Sequence, residues 1–315
     1  MPYLDSRSYF VDVLSNIITS TYFTRYELEE SVLPLVEAES QVARADSATH
    51  ALELAHALAF RSGLGKSLFA VPHSHITIDD VREYAAGVFG KGGVAVIGTG
   101  ISQETLTRLL QKSLADAPQV SPQTAETTKY FGGETRVDFA EGADHTPHAV
   151  FFGFGSAGQP KPELAVLAAH LSPVPSVKWS TGLSPLATTL PKNSSAQSVY
   201  LPYSDATLFG LLVQGKTPEA ATEAAQAAVK AFQAAISGNG LKEEEVKRAV
   251  VKAKFLAASA AEGREGIVST FGPSVRISIL SLILVFSDIL PALGRLSALF
   301  GFHLKRLRQC QGRHL

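Results

Sequence analysis

The chain has 315 residues, 45% of them apolar and 18% charged, and a formal net charge of −1. That length holds about two ordinary domains with substantial cores, and the composition excludes both a disordered and a collagen-like chain. The near-neutral balance gives no electrostatic footing for nucleic acid, and the single cysteine, Cys310, excludes an intrachain disulfide framework and a cysteine-rich zinc site.

The opening MPYLDSRSYFVDVL carries an early acid and lacks the basic, apolar and small-residue progression of a targeting peptide. Residues 8–23 and 27–43 read as helices, the second with Leu28, Val32, Leu35 and Val36 on one face and a bend expected at Pro34. A third helix, 49–61, places Leu52, Ala55, Leu58 and Ala59 at helical spacing, with Gly63 ready to end it in a left-handed conformation. Thr77 is a good N-cap for IDDVREYAAGVF, whose Asp79 and Asp80 favour the amino end. GGVAVIGTG follows as a short buried strand, and Ser102 caps the helix QETLTRLLQKSL.

Residues 115–128 form a polar, proline-containing linker. Beyond it come strands near 135–140 and 149–155, a helix at 162–171, an irregular segment to 197, and strands near 197–201 and 205–214. A long alanine-rich helix, 217–236, starts on Thr217 and Pro218 and stops at Ser237-Gly-Asn-Gly, and LKEEEVKRAVVKAKFLAASAAE gives a further amphipathic helix. Strands followed by paired helices on both sides of the linker predict two related α+β units.

Composition changes at residue 276. From there to Leu315 six Lys/Arg face Asp288 alone, a balance of +5, and an apolar run, Ile277 to Phe286, precedes the basic end. A spanning helix needs about twenty mostly apolar residues, and Asp288, Pro291 and Arg295 interrupt this one. Two readings stand: a compromised membrane anchor, or a tail foreign to the fold, such as translated non-coding sequence. The second is preferred.

Three motifs invite a chemical reading. GLGKS at 63–67 supplies the second half of a phosphate loop, but Phe60 stands where the first glycine belongs and a helix precedes the loop instead of following it. VIGTGIS at 96–102 resembles the start of a dinucleotide fingerprint, yet Gln103 replaces its third glycine. Ser156 in GFGSAG misses the nucleophile elbow because Phe154 occupies the position of its first glycine. The histidine pairs His73/His75, His145/His148 and His50/His56 have no cysteine near them and read as solvated or packing residues. Glu30 and Glu37 are seven apart, so on a regular helix both project from one face, an acidic stripe.

Seven ordered stretches between about residues 3 and 266 resemble the pitrilysin/insulinase family: ELEESVLPLVEAE, AHALAFRSGLGKSL, ITIDDVREYAAGVFGKGGVAVIGTGIS, KYFGGETRVD, SVKWSTGLSPLA, YSDATLFGLLVQG and EEEVKRAVVKAKFLAA. Within the family they are most similar to the fungal core subunits of mitochondrial ubiquinol–cytochrome c reductase, complex III. The resemblance implies two homologous α+β domains, antiparallel sheet packed with helices, both incomplete here. It divides the chain into 1–114, the later part of the first domain; 115–134, a linker; 135–275, the second domain; and 276–315, an unrelated apolar and basic tail.

Active members carry a zinc-binding His-x-x-Glu-His and a third ligand from a glutamate seven residues after another, the spacing that Glu30 and Glu37 match. The His-x-x-Glu-His is nowhere in the chain. One carboxylate cannot hold zinc, which needs three protein ligands and a separate base. The resemblance therefore implies no catalytic, metal-binding or cofactor-binding residue and no cofactor. In the related processing-peptidase α subunit a glycine-rich loop grips substrate; the corresponding residues 171–184 read LSPVPSVKWSTGLS, stiffened by Pro173 and Pro175. The implied role is a non-catalytic structural subunit on the matrix side of the mitochondrial inner membrane, held peripherally through the complex. Its partners would be the sister subunit core protein 1, cytochrome b and cytochrome c1. The alternative is a presequence-binding subunit, in which Glu29, Glu30, Glu37 and Glu39 attract basic peptides.

Overall fold

Helix-forming stretches, several opened by Asp, Thr or Ser caps, make up just over half of the described residues in a computed structural model that describes residues 6–71, 75–121, 126–138, 147–175, 182–236, 242–272 and 283–285. The order begins α1 (Ser6–Thr19), α2 (Arg25–Glu27), a π turn (Leu28–Val32), α3 (Leu33–Ala45), α4 (Ser47–Phe60), α5 (Ile78–Val88), β1 (Val96–Gly98) and α6 (Gln103–Ser113). It continues β2 (His148–Ala157), α7 (Pro162–Leu171), α8 (Pro185–Thr189), β3 (Ser194–Pro202), β4 (Ala206–Gly215), α9 (Pro218–Ile236), α10 (Glu243–Ala260), α11 (Arg264–Phe271) and β5 (Ile283–Val285).

The fold is α+β, with antiparallel sheet, as expected. Thr77 forms a reciprocal capping box with Asp80 at the start of α5, and Ser102 accepts from the Thr105 N–H at the start of α6. Asp46, which the sequence reading passed over, caps α4 by accepting from the N–H groups of Ala48 and Thr49. Helix 27–43 is not regular. Pro34 has no N–H for the carbonyl of Glu30 and its ring crowds that carbonyl, and the chain winds as a π turn just ahead of it.

The elements form two compact units, each drawn from separate stretches: Met1–Val32, His75–Thr124 and Ser259–Leu315 in one, Leu33–Ser74 and Ala125–Ala258 in the other. The boundary after Thr124 falls inside the segment 115–134, while Leu33–Ser74 groups with the later stretch and not with the first. Described residues of that segment are tied down within their own units. The Lys91 N–H donates to Pro118 O and the Val120 N–H to Lys91 O, while the Thr128 N–H donates to Asp205 and the Phe131 N–H to Ala59 O.

In the second unit β2, β4 and β3 pair antiparallel in that order, with Gly153 opposite Gly210 and Val199 opposite Gly210 on the other side. The central strand β4 is covered on both faces. Phe209, Leu211 and Val213 pack on Leu171, Leu186 and the α9 residues Ala224, Ala228 and Phe232, whereas Ala206 and Leu208 pack on Ala59 and Phe60 of α4. Alanine along one side of α9 lets helix and sheet approach closely, and a Cβ on Gly215 would lie 2.3 Å from Ala221 N. On the α4 face the ring of Phe151 lies across Gly153 and Gly210, and that of Tyr130 across Gly155.

The first unit has a smaller sheet. β1 pairs in parallel with β5, Val96 opposite Ile283, and α6 lays Leu106 against Gly98. Residues 283–285 are the described part of the segment after 275; the remainder of the apolar and basic tail lies outside the described residues, so neither reading of it meets the structure. Residues 135–138, read as the start of a strand, form none, and 139–140 lie outside the described residues. The segment read as irregular before 197 contains α8, capped by Ser184.

Candidate functional site

The GLGKS loop begins where α4 ends. Arg61, and not Gly63, is the first residue with positive φ, at +58°, and the Ser62 N–H donates to Phe60 O at 2.7 Å across it. This is the uncommon positive-φ γ-turn, a strained conformation for a residue with a Cβ. The Arg61 guanidinium sits 4.4 Å from the centre of the Phe131 ring, a cation–π contact that holds the turn. Beyond it the loop closes on a carboxylate of its own protein: Glu53 of α4 accepts from the Ser67 hydroxyl and from the Leu68 N–H. Arg44 of α3 donates to Ala70 O at 2.9 Å. A phosphate here would meet the negative charge of Glu53 in place of free N–H groups, so the geometry does not make a nucleotide loop.

Between α3, α4 and this loop lies a cleft of about 260 Å³, lined by Ala43, Arg44, Glu53, Leu54, Phe69 and Val71 among others. Its walls are largely apolar and its charged groups are engaged in tethering the loop. In VIGTG a Cβ on Gly98 would lie 2.6 Å from a Leu106 methyl and 2.9 Å from one of Ile101, so this glycine serves the packing of α6 on β1. Ser156 sits inside the regular β2 ladder opposite Thr207, not on a strand-to-helix elbow.

Glu30 lies in the π turn and Glu37 on α3, both exposed. The π turn breaks the 3.6-residue period on which a shared face depends, so the sequence argument for one face fails. Glu29 is paired with Arg25 at 2.7 Å. No group of three or more His, Cys, Asp or Glu among the described residues is placed to hold a metal ion, and Glu30 and Glu37 alone do not fit zinc. His56 is a half-buried packing residue: Nδ1 lies 2.7 Å from Leu52 O and Nε2 2.6 Å from the Tyr203 hydroxyl. A carbonyl accepts only, so Nδ1 donates, and in the neutral ring Nε2 accepts from Tyr203. His148 and His75 are exposed; His73 and His145 lie outside the described residues.

Of residues 171–184, positions 176–181 lie outside the described residues. The preceding turn is held from a distance: Lys252 of α10 donates to Ser172 O at 3.2 Å and Val174 O at 2.9 Å, at the carbonyl end of α7. Burial pushes the Lys252 ammonium below its ordinary pKa. Neither this tether nor the Glu53 clasp carries a local sequence signal, because the partners stand 78 to 80 residues apart in one case and 14 to 15 in the other.

A family model described as the peptidase M16 inactive domain matches residues 75–252. The chain belongs to the peptidase M16 inactive-domain family. Among its relatives, the mitochondrial cytochrome b-c1 complex subunit 2 of Cryptococcus neoformans is 40% identical over 274 residues, covering 85% of this chain and 62% of the relative. The subunit 2 of Yarrowia lipolytica is 37% identical over 84% of this chain and 62% of its own length, and that of Neurospora crassa 34% identical over 81% and 56%. The chain thus spans about three-fifths of these relatives. Among solved structures, a chain of complex III2 from Candida albicans superposes with a TM-score of 0.65 at 16% identity, over 86% of this chain and 66% of that one. An M16 inactive domain from Pseudomonas fluorescens gives 0.62 at 14%. The two superpositions show a shared M16 inactive-domain fold.

Proposed function

We propose that this M16 inactive-domain chain is a non-catalytic structural subunit of mitochondrial respiratory complex III, in the role of core protein 2. The observation that carries the reading is its 40% identity, over 85% of its length, with a relative named as subunit 2 of the cytochrome b-c1 complex. The residues agree chemically. His-x-x-Glu-His is absent from the sequence, and the GLGKS loop is closed on the protein's own Glu53. Function then resides in surfaces presented to neighbours, on the matrix side of the inner membrane, with core protein 1, cytochrome b and cytochrome c1 as partners. Among the described residues no helix is long and apolar enough to cross a membrane.

Affinity purification of the tagged chain from fungal mitochondria tests this. Recovery of cytochrome b and cytochrome c1 with the chain is the expected result. Recovery of a zinc-bearing processing peptidase without the cytochromes overturns it in favour of presequence binding.

A further inference from the structure

The cleft beside the GLGKS loop is built from one contiguous stretch, between Ala43 and Val71, and lies within the second unit. Leu54 and Ala57 of α4 and Phe69 and Val71 of the loop give it apolar walls. Arg44 and Glu53 are its charged groups, and His50 and Ser67 are the other polar side chains of the lining. The loop wall is held in place by the tethers from Ser67 and Leu68 to Glu53 and from Arg44 to Ala70 O. A tethered wall keeps the cleft of about 260 Å³ formed by itself, so an occupant has no loop to order on entering.

The tethers leave bonding capacity on both charges. A guanidinium has about five N–H donors and a carboxylate about four acceptor positions. Ala70 O takes one of the first, and Ser67 and Leu68 fill part of the second. Among the described residues neither Arg44 nor Glu53 stands in an ion pair, so two opposite charges line one apolar cleft without neutralising each other.

We infer that this cleft is a binding site for a free α-amino acid with an apolar side chain of about leucine's size. An anion would meet Glu53, a cation would meet Arg44, and a hydrocarbon would take water from both charges without replacing its hydrogen bonds. A zwitterion beside an apolar body meets all three conditions. Its carboxylate lies on the Arg44 fork, its ammonium on Glu53, and its side chain among Leu54, Ala57, Phe69 and Val71. Volume narrows the class further. A dry cavity of about 150 Å³ takes benzene, so the volume here takes roughly ten non-hydrogen atoms, enough for leucine or isoleucine and too few for tryptophan. The site does not depend on residence in complex III, so failure to recover the cytochromes leaves it standing.

Isothermal titration of the full 315-residue chain with a series of small probes tests this. L-Leucine should bind saturably at about millimolar concentration. Leucinamide lacks the carboxylate, N-acetylleucine lacks the ammonium and alanine lacks the apolar body, and each should bind at least about tenfold more weakly. Glu53→Gln keeps an acceptor for Ser67 and Leu68 and should lower leucine to the level of N-acetylleucine. Ala57→Phe fills the cleft without touching a charge and should abolish binding. Three results overturn the inference: no saturable heat with leucine up to about 10 mM, unchanged leucine binding in Ala57→Phe, or equal binding of any of the other three probes to the unaltered chain. Equality of leucinamide or N-acetylleucine with leucine would mark a site for a polypeptide terminus in place of a free amino acid. Should a variant not fold, the probe series on the unaltered chain decides by itself.

Discussion

Tyr203 and His56 stand 147 residues apart and meet at 2.6 Å, which joins α4 to the turn between β3 and β4. Their rings also meet edge to face, with Phe60 packed on both. Tyr203→Phe keeps the ring and removes the donor, leaving a half-buried imidazole nitrogen unpaired. It should lower stability by about 1 kcal/mol, read as a fall in the urea midpoint at unchanged slope. His170 makes the pH prediction. Burial is the main cause that holds its pKa below the ordinary histidine value; Arg248 and Lys252 push the same way, and Glu245 opposes them. Between the lowered folded pKa and the ordinary value near 6.5 the unfolded chain binds more protons, so stability rises with pH there. It is complete above about 6.5 and is lost as pH falls through the folded value. His170→Leu should flatten the stability profile below pH 6.5 and leave it nearly unchanged at pH 7.5, by urea titration at each pH. Neither residue announced its role in the sequence. His56 is a packing histidine, but the partners that make His56 and His170 particular come from distant elements that spacing does not reveal.

Elements were legible where their signals are local. Thr77, Ser102, Thr217 and Pro218 each mark a helix start that the fold uses, and α7 runs from Pro162 to Leu171 as read. Strand pairing is different, since a ladder needs a partner that period 2 cannot supply, and 135–138 alternates without becoming a strand. α8 escaped because five residues are too few to show a period, although Ser184 caps it. The π turn escaped because it depends on a proline two residues beyond its end. Glycine carries the element-scale prediction. A Cβ at Gly210 would lie 2.5 Å from the Phe151 ring and 2.6 Å from Phe152 O, one of which is backbone and cannot yield cheaply. Gly210→Ala should therefore cost about 1–3 kcal/mol through overpacking. Gly87 in α5 has open space where its Cβ would go. Gly87→Ala should stabilise by about 0.4–1 kcal/mol through a less flexible unfolded chain. Thermal unfolding of both variants beside the parent checks that the two changes have opposite sign; equal signs would show that the close contacts do not govern either site.

At the scale of the whole molecule, burial is unevenly divided. Among the described residues, the most deeply buried large side chains, Phe60, Leu171, Leu186, Leu208, Leu211 and Val213, all belong to the second unit, on the two faces of β4. The first unit buries Leu28, Leu106, Val120 and Ile267 to a lesser degree, while α1 and α5 leave Phe10, Leu14 and Tyr84 exposed. Burial of a Leu or Phe side chain contributes about 1.5–3 kcal/mol, so the unit with the filled two-sided sheet has much the larger apolar stabilisation. Opening free energies should follow. Hydrogen exchange followed by mass spectrometry should find β4 and α9 slowest in the chain, and peptides from α1 and α5 exchanging at least tenfold faster. In rising urea the α1 and α5 peptides should lose protection first, before the β4 peptides change. One concerted loss of protection at a single urea concentration would mean that stability is shared across the chain in a way the distribution of buried side chains does not account for.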